Sequence, residues 1–370
     1  FLVYTASALA AGGKLFNTVF GLDYHVALAI GAAVILCYTF MGGFMAVCVT
    51  DFVQGTLMLI GLLVVPLVAY FLLPGNLTDL ITQSGVTGGA NAYLNPFING
   101  DRPYTFVEIF SQLAWGFGYC GMPHVLVRFM AVRSEKELKK SWVIAIIWDL
   151  LSLTAAFAIA VIGRAYLLPT ILGENGAASS ESVFIEMIRK VFTSQLALPF
   201  IGGLFLCGIL AAIMSTADSQ LLVTASAVSE DLYHNFIKKD ADSKEILRVS
   251  RITVIVIAII AFAIAWDPNS SIMGLVSNAW AGLGAAFGPI VVMSLFWRRT
   301  NLQGAIAGMV TGGLTVIIWD YIPLVGGQTL GTYTGLYSLA VGFLLSLVVI
   351  VIVSLLTKAP SKEITDEFDK

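Results

Sequence analysis

Ten apolar stretches take up most of this 370-residue chain, and no other feature constrains its fold as strongly. They run roughly over 1–19, 24–42, 50–73, 106–130, 141–166, 196–223, 250–266, 272–297, 304–321 and 336–357. A helix of about 20 apolar residues crosses the hydrocarbon core of a bilayer. A segment in lipid must satisfy its own backbone hydrogen bonds, which selects helix. The alternating pattern of a transmembrane barrel is absent. Charged residues make up only 12% of the chain, against about 25% in a soluble domain. The expected class is an all-α polytopic membrane protein. A net charge of −3 gives no footprint for nucleic acid, so no nucleic-acid partner is expected. Cys37, Cys48, Cys120 and Cys207 lie in or beside the spans, lack metal-ligand spacing and read as small buried residues. Phe1 opens inside an apolar segment, so the chain is expected to lack its natural N-terminus.

Basic residues set the orientation. Of the 20 Lys and Arg, 15 fall within 128–140, 238–251, 298–299 and 358–370. These clusters alternate with the other ends of the spans, and the positive-inside rule makes them cytoplasmic. Both visible ends are then inside. Lys14 is an exception, lying within the first span. The outer connections 74–105 and 167–195 carry Gly, Asn and Pro and are read as a lid, as short external helices or as surface loops. Residues 224–249 read as the end of a helix followed by a solvated linker.

Two spans carry chemistry. The segment 203–222, GLFLCGILAAIMSTADSQLL, places Ser215, Thr216, Asp218, Ser219 and Gln220 among small apolar residues. An ionisable group at membrane depth is costly and faces a protein interior. At 100° per residue, Ala212, Ser215, Thr216 and Ser219 share an arc of about 100°, with Asp218 just beyond it. The Ala212 carbonyl and the two hydroxyls would give part of a shell for a hard cation such as sodium, and a second helix must complete it. The other reading of the hydroxyls is helix-to-helix glue. Asp51, in TDFVQG, reads either as a helix N-cap or as a charge on a cation path. In the second span, Gly116, Gly118, Gly121 and Pro123 crowd 114–123 and are expected to break the helix near the midplane. Trp115 and Tyr119 are one turn apart beside that break. They either wall a small solute or pack a kinked helix. Small residues in NAWAGLGAAFGP, 278–289, permit close approach or bending. No His/Asp/Glu or Cys/His constellation lies within the spans, so neither an enzyme nor a cofactor is expected.

The segments YTFMGGFMAVCVTDFVQG (38–55), WGFGYCGMPHVLVRFMA (115–131), GILAAIMSTADSQLL (208–222), SEDLY (229–233) and NAWAGLGAAFGP (278–289) resemble the sodium:solute symporter family. The resemblance implies a leucine-transporter-like inverted-repeat fold of which about ten of thirteen transmembrane helices are present. Residues 1–357 would be the transporter domain, with core helices three to ten plus two C-terminal helices, and 358–370 a cytoplasmic tail. It implies a multi-pass protein of a bacterial plasma membrane that brings a small solute into the cell with sodium. L-proline is the first candidate. Another solute such as pantothenate, or a transporter-like sensor unit, is the alternative. Ala212, Ser215 and Thr216 match the family's sodium ligands. Trp115, Tyr119, Pro123 and Tyr4 match solute-site positions. Asp51 matches an acidic residue of the sodium path and, with Ser219, a second sodium site found in some relatives. Asp218 stands where the family's proline carriers have a small, weakly polar residue, which leaves one or two sodium ions open.

Overall fold

A computed structural model describes residues 1–41, 44–167 and 180–369, without the side chains of residues 38 and 40–46. The helices are α1 Leu2–Phe20, α2 Tyr24–Met41, α3 Phe44–Phe71, α4 Leu77–Gln83, α5 Gly89–Tyr93, α6 Phe106–Leu113, α7 Trp115–Gly118, α8 Pro123–Met130 and α9 Glu135–Leu167. They continue as α10 Val183–Ile188, α11 Pro199–Ser226, α12 Ser243–Ile264, α13 Ile272–Phe296, α14 Leu302–Tyr321, α15 Leu330–Thr334, α16 Ser338–Leu356 and α17 Lys362–Phe368. Among the described residues, seven helices are long and apolar enough to cross a membrane individually. α1 and α2 meet that test together and bend by 120° at Gly21 and its neighbours. Gly21 closes α1 in the left-handed region, its amide bonded to the Asn17 carbonyl, the usual glycine stop of a helix. The stretch 106–130 is divided among α6, α7, a 3₁₀ turn at Tyr119–Gly121 and α8.

The chain forms two compact units, Phe1–Arg102 with Arg133–Leu275, and Pro103–Val132 with Val276–Lys370. In the first, one apolar core joins α1, α2, α11 and α12 through residues such as Leu9, Leu28, Leu221 and Ile257. Another joins α3, α9, α10 and α11 through Val65, Ile159, Met187 and Phe205. In the second, α14 packs on α16, and Ser346 Oγ donates to the Gly308 carbonyl at 2.8 Å. The strands β1 Pro323–Val325 and β2 Gln328–Thr329 pair antiparallel across Gly326 and Gly327. Both glycines have positive φ, as a tight hairpin turn requires.

The structure chooses between some of these readings and revises others. The outer connection 74–105 contains the short helices α4 and α5. Residues 168–179 of the other outer connection lie outside the description, and its remainder forms α10 and a π-helical turn at Arg189–Gln195. The helix of α11 continues as a π-helical segment through Ala227–Ile237, so the polar linker is shorter than its composition implies. Asp242 then caps α12 through the Glu245 amide. Cys37 and Cys207 are exposed rather than buried. Trp142, Ile144 and Phe200 are likewise more than 60% exposed on long apolar helices. Lipid tails are as apolar as a protein core, so composition cannot separate the two environments.

Lys14 finds its counter-ion. Its Nζ donates to Glu181 Oε2 at 2.6 Å and to the Ser270 carbonyl at 2.8 Å, tying α1 to the outer segment and to the α12–α13 connection. Burial raises the Glu181 pKa, but hydrogen bonds from Lys14, Ser271 and the Met273 amide, with the Lys14 charge, more than offset it. Its carboxyl therefore titrates below the ordinary 4.5. A depressed folded pKa gives stability that is present above the unfolded value and lost as pH falls through the folded one. Glu181→Gln is expected to melt below the parent at neutral pH, with the gap closing as pH drops beneath about 4.5. Thermal unfolding in detergent across pH checks this, and a gap independent of pH would exclude the ion pair as its source.

Candidate functional site

α11 brings the sequence-predicted oxygens together by its own periodicity. Ser215 Oγ and Thr216 Oγ1 both donate to the Ala212 carbonyl oxygen at 3.1 Å. Hydroxyls three and four residues on reach back to a carbonyl in this way along any helix. The three oxygens thus form one small cluster on a half-buried part of the helix. A turn further on, Ser219 is 4% exposed and Asp218 fully buried. Ser219 Oγ donates to the Ser215 carbonyl at 2.8 Å and lies 3.4 Å from Asp218 Oδ1 and 3.5 Å from Asp51 Oδ2.

Asp51 comes from α3, and its position decides between its two readings. It lies inside a helix that begins at Phe44, so it is not an N-cap. Sequence placed the span's start near residue 50, where the apolar run begins, but the helix extends beyond it toward the N-terminus. The carboxylate instead faces α11 at the level of Ser219. Two carboxylates, a hydroxyl and nearby carbonyl oxygens form the type of hard-oxygen surroundings that suit sodium. Among the described residues, no three His, Cys, Asp or Glu side chains gather to hold a metal.

The expected break in the second span is present. Met122 is extended, at φ −87 and ψ 104, and Pro123 opens α8. The proline ring pushes the residue before it out of the helical region and supplies no amide donor. Beside the break, Trp115 stacks on Trp280 with centroids 5.2 Å apart and on Tyr337 at 6.2 Å. Tyr119 meets Trp280 edge-on at 4.9 Å. Trp280 Nε1 donates to the Trp115 carbonyl at 2.9 Å. Gly118 permits this approach, because a Cβ there would strike the Trp280 indole. Tyr119 is 46% exposed. Trp115, Tyr119 and Pro123 belong to the second unit, whereas Tyr4, half-buried on α1, belongs to the first.

Sequence reasoning missed Trp280 and Tyr337, although Trp280 is the largest residue among the mostly small ones of 278–289. It also missed Thr5, 1% exposed, whose hydroxyl lies 3.5 Å from Oε1 of the fully buried Gln220. Nothing in a single sequence marks which polar residue of one span meets which of another.

Broken and unbroken apolar helices of this kind, with oxygens gathered inside them, define a multi-pass membrane protein of the leucine-transporter-like class. A solved Na⁺-coupled sialic acid symporter, in a substrate-bound outward-open state, shares this fold at TM-score 0.70 and 18% identity, covering 98% of this chain and 74% of its own. The model of the sodium:solute symporter family matches residues 1–312, and the chain belongs to that family. It is 42% identical to the osmoregulated proline transporter OpuE of Bacillus subtilis over 98% of this chain and 69% of that protein. It is 41% identical to the high-affinity proline transporter PutP of the same organism, over 100% of this chain and 73% of that one. The sodium/proline symporter of Staphylococcus aureus is 41% identical over 100% of this chain and 70% of its own length.

Proposed function

We propose that this protein is a sodium-coupled symporter that carries L-proline into a bacterial cell across the plasma membrane. The observation that carries the reading is its 41–42% identity to proline transporters along essentially its whole length. Residues 1–357 act as the transporter domain, and 358–370 form a cytoplasmic tail, a reading that the basic clusters support. Sodium enters as a co-transported substrate held by Ala212, Ser215 and Thr216. Asp51, Ser219 and Asp218 form a second cation level on the same helix pair. Trp115, Tyr119 and Pro123 are assigned to the solute, with Tyr4 as another solute residue. The aromatic faces suit an apolar ring, and the helix break between Tyr119 and Pro123 is the kind of interruption that lines a solute site in transporters. One sodium charge crossing 100 mV supplies about 2.3 kcal/mol, equivalent to roughly a fiftyfold solute gradient. No cofactor is proposed.

Uptake of labelled L-proline into liposomes, with and without a sodium gradient, tests the reading. The expected result is accumulation that sodium drives and unlabelled proline suppresses. Suppression by unlabelled pantothenate, with proline without effect, would reassign the solute. A solute flux indifferent to sodium would refute symport itself.

A further inference from the structure

Gln54 takes no part in the site described so far. Its Oε1 is buried without a hydrogen-bond partner, one turn beyond Asp51 on α3. A buried amide oxygen left unmade is costly, so its retention calls for an explanation. Contacts between α3 and α11 place it. Asp51 meets Ser219. A Cβ on Gly208 would fall 3.6 Å from the Leu57 carbonyl oxygen, and one on Gly61 would fall 3.3 Å from the Phe205 ring. As residue numbers rise on α3 they fall on α11, so the helices run antiparallel. Interpolating between these contacts sets Gln54 opposite residues 212–215. Rotation agrees: at 100° per residue, Gln54 lies about 60° from Asp51, between it and the directions of Gly61 and Leu57. On α11, Ala212 and Ser215 lie within about 40° of Ser219, on the face that meets α3.

We propose that Gln54 Oε1 is a sodium ligand on the path between the two levels, passing the ion from the Ala212, Ser215 and Thr216 oxygens to Asp51 and Ser219. This rests on the sodium reading above. The chemistry fits a transit position. An ion must be bound well enough to enter and weakly enough to leave. A neutral amide oxygen between a hydroxyl cluster and two carboxylates offers hard coordination without the charge that would trap the ion.

The test uses purified full-length protein in liposomes, with the sodium concentration for half-maximal proline uptake as the readout. Gln54→Met keeps the shape and removes the oxygen, and it is expected to raise that concentration about tenfold, with proline affinity at saturating sodium unchanged. Gln54→Glu keeps both shape and oxygen. It should hold the sodium requirement at or below the parent's, lower the maximal rate, and alter the preference for sodium over lithium. Thr216→Ala serves as the control for the sodium reading and should raise the requirement by itself. A shift in Thr216→Ala with neither Gln54 variant differing from the parent would overturn the Gln54 assignment alone. Parent-like sodium dependence in Thr216→Ala and Gln54→Met together would overturn both. Equal losses in the Met and Glu variants would make Gln54 a packing residue. An unchanged lithium preference in Gln54→Glu overturns the proposal even where the Met variant does not fold.

Discussion

Asp51→Asn is expected to reduce sodium-driven uptake by about a hundredfold while the protein stays folded. The substitution keeps the size and one oxygen but removes the charge. A buried ion that loses its partner charge loses roughly 3 kcal/mol or more, which corresponds to about a hundredfold in affinity. The helix itself has little at stake, since Asp51 lies within α3 rather than at its start. Ser219 Oγ, 3.5 Å from its carboxylate, is already bonded more closely to the Ser215 carbonyl at 2.8 Å. Uptake and thermal stability measured on the same variant separate the roles. Near-normal uptake with a lowered melting temperature would make Asp51 structural. A sodium requirement that rises steeply with an unchanged melting temperature supports the cation path.

The second large effect is expected at Trp115. Trp115→Ala should weaken proline binding by about a hundredfold, with sodium binding in the absence of solute changed little, because the oxygens proposed for the cation lie on α11 and α3. An aromatic wall in a dry site supplies roughly 2–3 kcal/mol through buried area. The ring also belongs to a stack with Trp280 and Tyr337, so alanine will lower the stability of the second unit as well. Trp115→Phe retains most of the stacking while changing the shape offered to a solute. Binding of labelled proline to purified protein, measured beside thermal unfolding, distinguishes the contributions. Parent-like proline binding in Trp115→Ala and Tyr119→Ala would make both aromatics packing residues and place the solute elsewhere.

What the sequence determined by itself was everything that follows from local periodicity and the solvent of the chain. The length of the apolar runs sets the class, because a bilayer has fixed thickness and forbids unbonded backbone. The grouping of Ala212, Ser215 and Thr216 oxygens was legible from the turn of a helix, and their 3.1 Å bonds follow from the same geometry. The break at Met122 was legible from Pro123 and its glycines. Tertiary structure alone decided what one span presents to another. It moved Asp51 from a helix start to a helix interior facing Ser219, paired Lys14 with Glu181, and gave Trp115 its partners Trp280 and Tyr337. It also turned Cys37 and Cys207 outward. The physical reason is the same in each case. In a membrane both faces of a helix meet apolar surroundings, so the hydrophobic pattern that tells a soluble helix which side is inside is largely erased. Which side packs is then fixed by small residues such as Gly61, Gly118 and Gly208, whose effect depends on the neighbour that approaches them.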